Sequence, residues 1–152
     1  MIRSILRAGV GVVALAFAVS VAGPVLADGP ADTVEKRIKE MKKMRTAMTG
    51  MKQVVAESAL DKAKAKDFSH TVVEKSKEVV SLFPAGSNVP PTEALPEVWS
   101  KSADFKAAAD AAVAAAAAME AAVDSGDMGK VKASYDAMRK ACDDCHDNFL
   151  KN

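Results

Sequence analysis

The chain is poor in the residues that usually carry chemistry. It has two cysteines and two histidines in 152 residues. A zinc site would need a fourth ligand of the right kind, and His70 lies far upstream of His146 in a different segment. There are only seven aromatic side chains, five Phe, one Tyr and one Trp, so bulky core material is scarce. Charge of one sign is also missing. The formal net charge is +1, with no basic stripe, which argues against a nucleic-acid partner. No Gly-rich phosphate loop, no catalytic serine and no second histidine near His146 can be found, so the chain is not read as an enzyme. No internal repeat of fixed period is present.

Long hydrophobic runs are limited to the N-terminus. Arg3 and Arg7 precede an apolar stretch from Ala8 to about Ala22, then Gly23-Pro24-Val25-Leu26-Ala27. This is a secretory leader with Val25 and Ala27 at the −3 and −1 positions. The stretch is short of the roughly 20 residues that a membrane-spanning helix needs. The expected division is a signal peptide over residues 1–27 and one domain over residues 28–152. The expected location is the periplasm, without membrane insertion of the mature chain. Removing the two leader arginines turns the formal charge from +1 to −1.

What the chain does have is Cys142-Asp143-Asp144-Cys145-His146. Cys-x-x-Cys-His is the attachment motif of a c-type haem. The two thiols, Cys142 and Cys145, add across the vinyl groups, and the imidazole of His146 ligates iron from one face. A thioredoxin-type pair would need a βαβ context, and nothing near the motif alternates like a strand. A plain disulfide leaves His146 without a role. A colourless helical bundle, with the cysteines as a disulfide or metal site, is the reading left if no haem is attached.

Four helical segments are expected. The first spans about Thr33 to Glu57, with Val34, Ile38, Met41, Met48 and Val55 on one face and Met44 and Met51 widening it. Asp32 or Thr33 is its expected N-cap. The second spans about Asp61 to Leu82, with Phe68, Val72, Val79 and Phe83 on one side. A proline-rich connection from Phe83 to Trp99 follows. The third, about Ser102 to Val123, is mostly alanine and turns Phe105, Ala112, Ala116, Met119 and Val123 inward. The fourth runs from about Met128 to Lys151. There Val131, Tyr135, Met138, Cys142, Cys145 and Phe149 follow a 4-3-4-3-4 rhythm, which puts both thiols on the core stripe. His146 lies about 400° of helix rotation beyond Cys142 and points nearly the same way. A haem fixed there supplies apolar volume that alanine-rich helices lack.

In these features the chain resembles the class II cytochromes c, the cytochrome c' family and its low-spin relatives. The resemblance covers essentially the whole mature chain. It rests on the haem motif near the C-terminus with Phe149 after it. It also rests on the connection with Phe83-Pro84, Gly86-Ser87, Thr92, Ala94, Pro96, Trp99 and Phe105, and on Arg37 four residues before Met41. It implies an all-α antiparallel four-helix bundle with one haem c, attached through two thioethers near the C-terminus. It further implies that Arg37 contacts a propionate and that Met41 faces the iron. One departure stands out. The family often has a basic residue directly after the aromatic that follows the motif, whereas here Leu150 comes next and Lys151 only after it.

In the low-spin, methionine-ligated members of this group a methionine at the Met41 position is the sixth ligand. In the cytochrome c' members the side chain there, often leucine but sometimes methionine, leaves iron five-coordinate and open to nitric oxide or carbon monoxide. We expect the first arrangement: an electron-transfer protein with His146 and Met41 as axial ligands, since a thioether opposite imidazole raises the potential. The high-spin gas-binding protein is the alternative. Redox partners of a respiratory or photosynthetic chain follow from the first. A homodimer through the first two helices is what the resemblance adds. His70 is expected on an exposed helix face, the lysines at 36, 39, 42 and 43 on a solvated one, and Tyr135 and Trp99 in the core or against haem.

Overall fold

The computed structural model describes residues 29–151; the leader over residues 1–27 lies outside the described residues. Helix α1 is Pro30–Ala56, about a turn longer at its start than its apolar face requires. Proline at the first helical position has no N–H to leave unpaired and a φ already suited to a helix. Asp32 then accepts the Gly29 N–H at 3.2 Å, so it acts from inside the first turn and not as the cap itself. Helix α2 is Lys62–Glu78, capped by Asp61, whose carboxylate accepts the Lys64 N–H. A 3-10 turn, Val80–Leu82, replaces the last turn expected of this helix. Pro84 disfavours helical geometry at the residue before it, and Phe83 duly leaves with φ −122° and ψ 54°. The connection holds one extra turn, α3, Glu97–Ser100, starting from Pro96 at φ −55°. Helix α4 is Ser102–Ser125 and stops at Gly126, whose φ of 75° is open to glycine at low cost. Helix α5 is Met128–Phe149, capped by Asp127.

The long helices form the expected four-helix bundle. Consecutive members pack along their lengths, α1 on α2, α2 on α4 and α4 on α5. The closing pair, α1 and α5, barely meets. One core cluster fills most of the bundle, from Met51 and Val72 through Met119 and Val123 to Val131 and Met138. A second, around Val79, Val98, Phe105 and Phe149, lies under the connection. There Phe83, Phe105 and Phe149 stack edge to face in sequence. The chain after α5 is latched to the connection. Leu95 N–H donates to the Phe149 carbonyl and Lys151 N–H to that of Glu93, both at 2.9 Å.

The inward faces of α4 and α5 fall where their periodicity puts them. Ile38 does not. It is 49% exposed although it repeats with Val34 and Met41. The core lies on the α2 side of α1, so buried Ala47, Gly50 and Val54 extend the inner face there and leave Ile38 at its outer edge.

Two contacts fix α1 against α2. Gly50 lies under the Phe68 ring, so close that a Cβ on Gly50 would come 2.5 Å from its tip. Near the other end Glu40 takes Lys75 across the interface at 2.9 Å and Lys43 along its own helix at 2.8 Å. Lys43 and then Lys75 hold the Glu40 carboxyl down to about 2 from an ordinary 4.5.

Gly50→Ala should destabilise the bundle by about 1–2 kcal/mol in urea unfolding, since overpacking outweighs the helix propensity gained. An alanine variant as stable as the parent would mean the Phe68 ring swings aside freely. Because the folded pKa of Glu40 is depressed, its contribution is complete above about pH 4.5 and is lost as pH falls through about 2. Glu40→Gln should therefore give a shallower decline of Tm with pH over that window. An unchanged acid limb would assign the acid sensitivity to other carboxylates.

Candidate haem site

Of the sequence-predicted residues, Met41 of α1 and Cys145 of α5 pack on one cluster, Arg37 reaches into the connection, and His146 stays exposed. On α5, Cys142 and Cys145 are reduced and half-buried. Cys142 packs on the larger core cluster and Cys145 on the smaller one, so the two thiols straddle the junction of the two. The residues between them face outward. Asp143 pairs with Arg139 at 3.5 Å and Asp144 with Lys140 at 2.7 Å, each one turn back. Burial, with Asp143 adding to it, pushes the Cys142 thiol up to about 11, and burial raises that of Cys145. Both are therefore protonated at neutral pH and weak nucleophiles on their own. His146 is exposed, and its ring makes no hydrogen bond among the described residues. Its carbonyl caps the helix end by accepting the Leu150 N–H at 3.0 Å.

On α1, Met41, Met44 and Met48 are half-buried along one stripe. Met44 is tethered: the hydroxyl of buried Ser76 lies 3.6 Å from its sulfur, as well as 2.7 Å from the Val72 carbonyl. Met41 packs, with Cys145, against the cluster under the connection. His70 stays on the outside, exposed and 3.0 Å from Glu120, as its sequence context indicates.

Arg37 is the least expected of these residues in its surroundings. It is only 4% exposed. Its Nη2 donates to the Ser87 carbonyl at 3.0 Å, and its Cζ lies 4.3 Å from the centre of the Phe83 ring and 5.7 Å from that of Trp99. Nη1 is buried and has no hydrogen-bond partner among the described residues. Burial lowers the Arg37 pKa, but a guanidinium stays charged in proteins. A buried cation with an unused donor and no carboxylate beside it is costly. It calls for an anionic group, and a haem propionate answers that need. The half-buried thiols, the thinly closed seam and this unpaired guanidinium all fit a haem. Sequence reasoning did not find the partnership of Ser87, Phe83 and Trp99 with Arg37, nor that of Ser76 with Met44. Both cross between segments, and no local spacing signals them.

Comparison with known proteins agrees. A family model described as Cytochrome C' matches residues 32–150. Cytochrome c' from Rubrivivax gelatinosus is 48% identical over 58 residues, a stretch covering 38% of this chain and 45% of that protein. The crystal structure of cytochrome c' from Rubrivivax gelatinosus superposes with a TM-score of 0.75 at 32% identity, over 80% of this chain and 97% of that one. A nitric oxide complex of a leucine-to-isoleucine mutant of cytochrome c prime from Alcaligenes xylosoxidans gives 0.75 at 28% identity, over 81% and 97%.

These relatives correct the expectation of a low-spin electron carrier with His146 and Met41 as axial ligands. A thioether on the sixth position closes the iron, whereas cytochromes c' are usually high-spin and the solved relatives include nitric oxide complexes. A methionine on the inner stripe of α1 is thus compatible with an open iron. With the family's description matching nearly all of the described residues, and with one covalent haem c as the cofactor, this chain belongs to the cytochrome c' family.

Proposed function

We propose that this chain is a periplasmic, five-coordinate, high-spin cytochrome c' that binds nitric oxide or carbon monoxide and is not an enzyme. The observation that carries the reading is the occurrence of nitric oxide complexes among relatives that align over 81% of the chain at 28–29% identity. Residues 1–27 are its cleaved leader. No helix among the described residues is long and apolar enough to cross a membrane. A homodimer through α1 and α2 belongs to the same proposal, as does electron exchange with redox partners of a respiratory or photosynthetic chain.

Each residue of the seam has a part. Cys142 and Cys145 hold the haem through thioethers, and their resting protonation keeps them unreactive until attachment. His146, exposed and free of protein hydrogen bonds, is the iron ligand. Arg37 offers Nη1 to a propionate. The haem, once bound, supplies an iron with one position open to a diatomic gas. Met41, Met44 and Met48 give the α1 side of the seam an apolar wall. The Ser76 hydroxyl, 3.6 Å from the Met44 sulfur, lies closer to the Val72 carbonyl, at 2.7 Å. A wall of thioether side chains suits a small, uncharged, weakly polar ligand better than an anion or water.

The exported holoprotein should show a broad high-spin spectrum that shifts when carbon monoxide is added to the reduced form. Met41→Ala should leave the spin state unchanged and alter only gas affinity. Sharp low-spin bands indifferent to carbon monoxide would overturn the reading.

A further inference from the structure

Arg37 is itself held in place by the connection between α2 and α4. Three donors converge on one carbonyl of the connection, that of Pro84. They are the Ser87 N–H at 3.2 Å, the Ser87 hydroxyl at 2.8 Å and the Trp99 indole N–H at 3.0 Å. The first two close the turn Pro84–Ser87 on itself, with Gly86 at φ +80°. The third comes from α3 and fastens that turn to the body of the protein. Only then is the Ser87 carbonyl presented to Arg37, fifty residues away in sequence. The Trp99 ring also stands 6.1 Å from that of Phe83, the ring over the guanidinium. Nη2 is thereby occupied, one face is covered, and Nη1 is buried without a partner among the described residues.

We propose that Trp99 is a positioning residue for Arg37. Its indole N–H locks the Pro84–Ser87 turn so that the guanidinium is held rigid and dry, with Nη1 left for an anionic group of the cofactor. This rests on the reading of Arg37 as the partner of a propionate. The half-buried tryptophan could satisfy its N–H with water, so core packing alone does not account for the bond to Pro84. Phenylalanine in its place would keep an aromatic, if smaller, side chain beside Phe83 and remove the N–H donor.

A fixed cation near the haem disfavours the more positive ferric state and so raises the reduction potential. The test is a double-mutant cycle on the midpoint potential of the exported holoprotein, with Trp99→Phe, Arg37→Gln and the pair. Arg37→Gln should lower the potential, and Trp99→Phe should lower it by a smaller amount. The double variant should match Arg37→Gln, because Trp99 then has nothing to position. Two results overturn the proposal while leaving the Arg37 reading intact. One is a Trp99→Phe variant with the parent's potential, even if its Tm falls. The other is an equal Trp99→Phe shift in the Arg37→Gln background, which would mean that Trp99 acts on the haem directly. If Arg37→Gln itself leaves the potential unmoved, the propionate partnership fails and the proposal with it. Should Trp99→Phe not fold, Trp99→Tyr, a larger side chain that likewise lacks the indole N–H, takes its place in the cycle with the same expectations.

Discussion

Helix α4 turns Ala109, Ala112, Ala116 and Ala122 toward the core, with Phe105, Met119 and Val123 as its only larger inward residues. Alanine lets helices approach closely and favours the helix itself. It brings little burial, however: one methyl is worth roughly 0.8 kcal/mol against about 1.5–3 for a buried Leu or Met. The bundle adapts by drawing α2 and α5 tightly onto α4. The shortage is then expressed at the opposite corner, between α1 and α5, where methionines and cysteines remain half-buried. The haem site is therefore not carved into a finished fold. It is the place where the helices, built mainly of small side chains, run out of material.

The same seam explains the arrangement around it. A bundle open at one corner needs its ends held, and the connection between α2 and α4 does this. Its Phe83 joins the stack with Phe105 and Phe149, and it is latched by backbone hydrogen bonds to Phe149, the last residue of α5, and to Lys151 beyond it. The element that cages Arg37 is thus tied to the helix that carries Cys142, Cys145 and His146. Leu150, which stands where a basic residue was expected, is part of that latch. It pairs in an antiparallel bridge with Ala94 and is half-buried. Its backbone serves that pairing at a position where the resemblance led one to look for charge.

How much of this could be read in advance depended on whether the signal was local. The α5 rhythm and the motif within it are local, and so is the alanine face of α4; both survive in the fold as written. Ile38 shows the limit of periodicity. A stripe names an axis of symmetry but not how far the core extends to either side, and α2 pulled the buried face of α1 away from it. Arg37 was found through a resemblance, whereas the reason for its burial lies in Ser87, Phe83 and Trp99, which only the folded connection brings near. Met41 marks the sharpest limit. Its place on the inner stripe is legible, but whether a sulfur bonds iron depends on distances of tenths of an ångström. Helical spacing does not encode those, and it was family membership that set the expectation right.

Charge completes the account of why this site suits its cofactor. Taking an arginine out of water without an anion costs several kcal/mol after relaxation. The cation–π contact with Phe83 and one carbonyl hydrogen bond recover only part of that. The remainder is released when an anionic group reaches Nη1, so a cofactor with carboxylates gains binding energy that an uncharged apolar molecule of the same shape would not. The thiols contribute in the other sense. Their burial is costly only to the thiolate, and a thioether has no charged form to destabilise. Converting Cys142 and Cys145 to thioethers therefore leaves them in surroundings that already favour the neutral, apolar state. On the proposed reading, the surroundings would suit a molecule that is apolar over its plane, carries an anionic group for Nη1 and is attached covalently at Cys142 and Cys145.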